Sequence, residues 1–203
     1  MYTIPKHMGA MPLTNKAIHF AIQKHAEQYR ELSGLLYVTH PVMVMLTMYK
    51  YKDSKHIDEI CAAAILHDVI EDTSLPYGTD AKHLDEKTIM SYFRKAYDEI
   101  KQEFGAMVAN LVWELTSNPI ELAKLGKQNY IDHKLQTISS YATGIKLADI
   151  LANANDNPSP DMVRRFRHHY DFVLNPGFGK PLTAPQRAIL YELDYTLKTV
   201  YHV

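Results

Sequence analysis

A chain of 203 residues is long enough to bury a sizeable core as one domain without disulfide staples. Its 22 basic and 23 acidic residues leave a formal charge of -1, which supplies no general attraction for nucleic acid or a membrane surface. The single cysteine, Cys61, excludes a disulfide framework, and with no signal-peptide pattern or apolar span of ~18 residues the chain reads as a soluble cytoplasmic protein.

Residues 1–13, with Pro5, Gly9 and Pro12, read as an N-terminal arm, after which Thr14 is placed to cap a helix over 15–29. Ala17, Ile18, Ala21, Ile22, Ala26 and Tyr29 give that helix one apolar face. The link ELSGLLYVTH then delivers His40 directly before Pro41, a residue suited to the first turn of a helix through PVMVMLTMYKY. Met43, Met45 and Met48 in that helix read as core filling.

After the polar interval KDSKH comes CAAAILHDVIED, an apolar run that ends in four ionisable groups. On a continuous helix His67 stands one turn before Glu71, and Asp68 one turn before Asp72, so all four line one edge. Carboxylates on an otherwise buried helix need a proton, a hydrogen-bond partner or a metal. Residues 73–85 read as a loop that could act as a lid, 86–102 as a helix, and GAMVANLVWELT as a buried helix stopped by Asn118-Pro119. A helix over 120–139 follows, weakened at Gly126. In ATGIKLADILANAND, Asp149 lies among apolar neighbours, with Asn153 one turn later. VRRFRHHYDFVL, the loop NPGFGKPLTAP and a helix over 185–199 complete the chain. About eight helical segments and weak strand patterning predict an all-α single domain, a helical bundle with 156–203 as its C-terminal helical extension.

His40, His67, Asp68 and Asp149, drawn from three helices, form a candidate metal shell of two imidazoles and two carboxylates. Such a mixture suits Mn²⁺, Zn²⁺, Fe²⁺, Co²⁺ or Mg²⁺ better than a thiolate zinc centre. Arg30, Lys24, His25 and Lys146 are candidates to meet phosphates, and Tyr37 to pack on a base or sugar.

Five stretches in order, AIQKHAEQYR, YVTHP, AAAILHDVIEDT, VWELTSNP and IKLADILAN, resemble the HD-domain metal-dependent phosphohydrolases. The closer resemblance is to the hydrolase domain of RelA/SpoT-type alarmone enzymes and their small stand-alone relatives. It implies an HD-domain bundle whose metal ligands fall on His40, His67, Asp68 and Asp149, with Mn²⁺ as the working ion. It places the paired acids that manage the attacking water on Glu71 and Asp72, assigns Asn153 to the nucleotide site, and matches Arg30 to the basic residue of a substrate loop. Tyr130, with Lys127, Asn129 and His133, falls where those hydrolases approach the nucleotide, Tyr130 being suited to stacking or a phosphate hydrogen bond. The implied reaction removes the 3′-diphosphate from guanosine tetra- or pentaphosphate, leaving GDP or GTP and pyrophosphate.

Three departures bear on the substrate. Leu36 replaces a usual proline, Glu31 stands where a basic residue is usual, and NANDNPSPD lacks the basic residues expected after the second metal helix, although Arg164, Arg165 and Arg167 follow later. The metal chemistry is untouched by these changes. The alternatives are another HD-type nucleotide or dNTP phosphohydrolase and a non-catalytic nucleotide sensor. Near-neutral charge argues against a nuclease, and monomer and homo-oligomer both fit the sequence.

Overall fold

The computed structural model describes residues 10–203 apart from 52, 77 and 80, and apart from the side chain of residue 82. Most of the expected N-terminal arm, residues 1–9, lies outside the described residues. The described chain forms eleven α-helices: α1 (Pro12–Lys24), α2 (Thr39–Tyr51), α3 (Ile57–Leu66), α4 (Val69–Thr73), α5 (Glu86–Phe104), α6 (Ala106–Leu115), α7 (Pro119–Leu125), α8 (Lys127–Thr137), α9 (Ser140–Ala154), α10 (Pro160–Leu174) and α11 (Ala184–Val200). Short 3-10 turns occupy Ala81–His83 and Pro176–Phe178. One isolated antiparallel bridge, Tyr29 with Leu36, is the extent of β pairing among the described residues. The all-α bundle expected from the sequence is what forms.

Past Asp58 and Glu59 in its first turn, helix α3 is apolar on every side, and Ile57 and Ile60 through Leu66 are all buried. A helix without a polar face belongs inside a bundle, and α3 packs against α1, α2 and α6. The alanines at 62–64 let these neighbours approach closely. Cys61 is fully buried, and burial pushes its thiol up to about 12, so it is an inert packing residue. The second interior helix is α9, which packs against α2, α6, α10 and α11. A Cβ on its Gly144 would stand 3.2 Å from Met48 Cε, so the absent side chain sets the α2–α9 spacing. Met48 does fill the core, whereas Met45 is half-buried and Met43 is exposed. Among the described residues no helix is long and apolar enough to cross a membrane.

Several boundaries differ from expectation for physical reasons. Helix α1 starts at Pro12, so the expected arm is shorter by two residues and Thr14 lies inside the first turn. The free amides of Leu13 and Thr14 are met by the Asp58 carboxylate of α3, at 3.0 and 2.8 Å, which does the work expected of a local cap. The same helix ends at Lys24, and residues 28–37 fold into a hairpin-like loop closed by Tyr37 N to Gln28 O (2.9 Å) and Arg30 N to Leu35 O (2.8 Å). At Gly126, with φ +75°, the helix expected over 120–139 divides into α7 and α8. Asn118 caps α7 through its side-chain oxygen, which accepts from Ile120 and Glu121, and Pro119 opens the helix.

Candidate metal centre and cleft

The apolar run of α3 stops at His67 and Asp68, where the chain turns (Asp68 φ -111°, ψ -4°) before α4 resumes at Val69. The continuous helix expected over this stretch is broken at that turn. The interruption frees the two side chains from a fixed helical step, and His67 Nδ1 donates to Ala64 O at 2.9 Å. A carbonyl only accepts, so Nδ1 carries a proton and Nε2 is the nitrogen that faces the cleft. From the first turn of α2, His40 Nε2 reaches Asp149 Oδ1 at 3.0 Å, and His67 Nε2 stands 3.7 Å from the same oxygen. His40, His67 and Asp149 are all buried and offer one ligand atom each within 4.8 Å of one another.

Asp68 stands beside this triad, with Oδ2 at 3.7 Å from His67 Nε2. That oxygen accepts from the Tyr37 hydroxyl at 2.8 Å. The other, Oδ1, is buried without a hydrogen bond and lies 3.4 Å from His25 Nε2, which is equally unsatisfied. An orphaned buried carboxylate oxygen next to two imidazoles and a second carboxylate is the donor chemistry that a divalent cation completes. The triad, with Asp68 alongside, therefore fits a divalent metal.

The electrostatics agree. Burial works against charging His67, but Asp68 and Asp149 outweigh it and push the ring up to about 9. Asp149 is held well below the usual carboxylate range despite its burial, chiefly by Lys146, His40 and His67. Asp68 is held low in the same way by His67, His25 and His40. Asp72 moves in the opposite direction: the protein mass around it and the Asp68 charge push its carboxyl up to about 6. The cluster thus collects negative charge that Lys146 and protons on histidine offset in the metal-free protein.

A second ring of contacts fixes these groups. Lys146 Nζ donates to Asp149 Oδ2 at 2.8 Å, and Asn153 Nδ2 donates to Oδ1 at 2.7 Å. Arg30 reaches in from the 28–37 loop, donating from Nη2 to Asn153 Oδ1 (2.8 Å) and from Nε to Asp156 Oδ2 (2.7 Å). The Tyr37 ring stacks on His25 with centroids 4.7 Å apart. On α4, Glu71 Oε2 accepts from Ser117 N at 3.0 Å. Arg30, Tyr37, Asp72, Lys127 and Asn153 join the metal cavity, about 210 Å³, to an outer cleft of about 760 Å³.

Of the remaining sequence candidates, Lys24 is not brought to this cleft. Its ammonium pairs with Glu99 at 2.8 Å and lies over Phe20 in a separate pocket, which also takes Leu75 and Pro76 from the expected lid. Residues 77 and 80 of that loop lie outside the described residues. Tyr130 is buried, and its hydroxyl accepts from Asn118 N at 2.8 Å, locking the start of α7. His25 faces Asp68 from the protein side. Arg164 pairs with Asp161 and Arg167 with Asp194, so neither replaces the basic residues missing after α9. Asp156 and Ser117 were not anticipated, because the pairs Arg30–Asp156 and Glu71–Ser117 join residues 126 and 46 positions apart. An arginine on a loop that leads into a cleft was the available hint of an acidic partner.

Comparison with known proteins agrees with the geometry. Residues 37–154 match the HD domain. The chain is 27% identical to the zebrafish (Danio rerio) protein named guanosine-3′,5′-bis(diphosphate) 3′-pyrophosphohydrolase MESH1, over 78% of each chain. It is 30% identical to the human (Homo sapiens) protein of that name over 70% of this chain and 67% of that one. It is 34% identical to the guanosine-3′,5′-bis(diphosphate) 3′-pyrophosphohydrolase of Aquifex aeolicus over 70% of this chain, which spans 15% of that longer protein. A solved structure described as a metazoan ortholog of SpoT that hydrolyzes ppGpp superposes with a TM-score of 0.63 over 99% of both chains, at 20% identity, and shares the fold. The chain belongs to the HD-domain family of metal-dependent phosphohydrolases and is related within it to the RelA/SpoT-type and MESH1-like hydrolases.

Proposed function

We propose that this chain hydrolyses guanosine 3′-diphosphate 5′-di- or triphosphate at the 3′-diphosphate, yielding pyrophosphate and GDP or GTP, with Mn²⁺ as its ion. The observation that carries this reading is the buried His40–His67–Asp149 triad at the inner end of a cleft that also collects Arg30, Lys127 and Lys146. Its relatives named for this reaction support the choice of substrate.

In the proposed mechanism His40, His67 and Asp149, with Asp68 alongside, hold the ion, which when bound supplies Lewis-acid polarisation and a fixed positive charge. Tyr37 holds Asp68 in place through its hydroxyl, and Lys146 and Asn153 hold Asp149. Glu71 orients the attacking water and takes its proton, with one oxygen steadied by Ser117 N and the other left for the water. Asp72, one residue on, is the second acid of this pair. Negative charge that develops on the phosphoryl oxygens is met by Lys127 and Arg30. An outer cleft of about 760 Å³ is of the size that encloses a nucleotide, and the Tyr37 ring at the junction of the two spaces offers a face to a base or sugar.

One observation favours a second reading. Asp156 already neutralises Arg30, and Glu31 lines the outer cleft, so the charge left for a second phosphate group is small. A nucleotide phosphorylated at one end only, such as a dNTP, meets this lining with less repulsion. The discriminating experiment incubates the Mn²⁺-loaded protein with guanosine tetraphosphate, guanosine pentaphosphate, NTPs and dNTPs and separates the products. Pyrophosphate with GDP from the tetraphosphate is expected; tripolyphosphate from a dNTP with none from the alarmones establishes the second reading. Nucleotide retained without products under every metal overturns both in favour of a sensor.

A further inference from the structure

On the outer side of the cleft, α8 and α10 meet through three side chains that the proposed hydrolysis does not use. Asp132 follows Ile131, which lines the metal cavity, but its carboxylate turns toward α10. There His168 Nε2 stands 2.6 Å from Oδ2 and His169 Nδ1 stands 2.8 Å from Oδ1. The three side chains offer ligand atoms that all lie within 4.8 Å of one another. We propose that Asp132, His168 and His169 form a second divalent-metal site, suited to Zn²⁺ or a similar late first-row ion, that clamps α10 onto α8.

Four features of the cluster point to a cation. First, two residues adjacent on a helix project about 100° apart, and here they converge by presenting different nitrogens, Nε2 of one and Nδ1 of the other, to one carboxylate. Second, among the described residues the groups paired with the half-buried Asp132 carboxylate are these two imidazoles, with no lysine or arginine beside them. Third, His169 is buried where α8 and α10 meet, so its ring has little freedom to turn away from Asp132. Fourth, the His168 ring is held in place by stacking on Phe172, with centroids 6.2 Å apart and planes 17° from parallel.

With metal–ligand bonds of about 2.0–2.1 Å, tetrahedral donors stand roughly 3.3 Å apart. The present contacts of 2.6 and 2.8 Å reach that spacing by small side-chain rotations. The His168 side chain is 38% exposed, which leaves the fourth position to water. Two histidines and one carboxylate select zinc-like ions over Mg²⁺ or Ca²⁺, which prefer oxygen ligands alone.

The test is metal stoichiometry of the full chain. Metal-stripped wild type, His168→Gln, Asp149→Asn and the double variant are dialysed against a fixed free Zn²⁺ concentration and their bound zinc is counted. The expected result is that Asp149→Asn retains an equivalent that the double variant loses, and that His168→Gln holds one equivalent fewer than wild type. Equal zinc in wild type and His168→Gln overturns the proposal and leaves the cluster a hydrogen-bonded clasp. Should Asp149→Asn fail to fold, the visible Co²⁺ spectrum of wild type against His168→Gln serves instead, and loss of a tetrahedral component is expected. An equivalent removed by Asp149→Asn but not by His168→Gln reports on the catalytic ion, so the two sites succeed or fail separately.

Discussion

Asp149 is approached by Lys146 on one oxygen and by Asn153, His40 and His67 on the other, so its carboxylate has little freedom to turn. Glu71 is held differently. Ser117 N engages only Oε2, which orients the carboxylate without spending its basicity on a charged partner. Replacing Glu71 by Gln keeps an oxygen to accept from Ser117 and keeps the side-chain length, while it removes the group that takes a proton. Under the proposed mechanism Glu71→Gln lowers kcat by about 10²–10⁴-fold with metal content unchanged. Turnover under saturating Mn²⁺, set beside the measured metal content of the same sample, checks this. A kcat equal to wild type would transfer the proton-accepting role to Asp72. Tyr37→Phe separates the two functions from the other side: it removes the hydroxyl from Asp68 but keeps the ring, so metal affinity falls by about tenfold before substrate affinity does.

At the scale of the helix, the signals written in neighbouring residues were legible. His40-Pro41 opens α2 and Asn118-Pro119 opens α7, because proline fixes its own backbone wherever it stands. The α3–α4 interruption carried no such signal. Neither glycine nor proline occurs at His67-Asp68, and the turn coincides with a ring bond to Ala64 and a tie from Asp68 to Tyr37 of another segment. The start of α1 was hidden for the same reason, since its amides are met by Asp58 from 44 residues away. In the cleft, the residue types and spacing that select His40, His67 and Asp149 were visible, whereas the pairing of Lys24 with Glu99 was not. Lys134 of α8 shows how such long-range ties hold elements. Its ammonium donates to the Glu114 and Thr116 carbonyls at 2.8 Å each, pinning the end of α6 beside the Ser117 amide that holds Glu71. Burial, reinforced by the charge of Lys146, pushes Lys134 from 10.5 down to about 8. Between those values the unfolded chain binds the proton more tightly than the folded one, so stability rises with pH, and the penalty is fully present below about pH 8. Denaturant unfolding at about pH 7.5 and about pH 10 should therefore move the difference between wild type and Lys134→Met toward wild type by about 2 kcal/mol. A difference that stays constant across that range would show that Lys134 is not penalised by burial.

Across the whole molecule, the three buried ligands come from α2, the α3–α4 junction and α9, helices that the chain brings together only when folded. The unfolded chain offers His40, His67 and Asp149 separated by long flexible segments, so an ion bound at all three favours the native state by mass action. At a free concentration about 100 times the dissociation constant this amounts to about 2.7 kcal/mol. For a chain of 203 residues, where 1 kcal/mol corresponds to roughly 2–4 °C, thermal unfolding should rise by about 5–10 °C on loading. Calorimetry of chelator-treated and Mn²⁺-reloaded protein measures the shift. Asp149→Asn should abolish most of it, because the site loses the α9 carboxylate that both imidazoles face and keeps only Asp68 beside them. The same variant leaves Lys146 buried without its carboxylate, so its metal-free form should also melt below metal-free wild type. A metal-dependent shift of equal size in wild type and Asp149→Asn would place the stabilising ion elsewhere, and a shift then abolished by His168→Gln would assign it to the α8–α10 clamp.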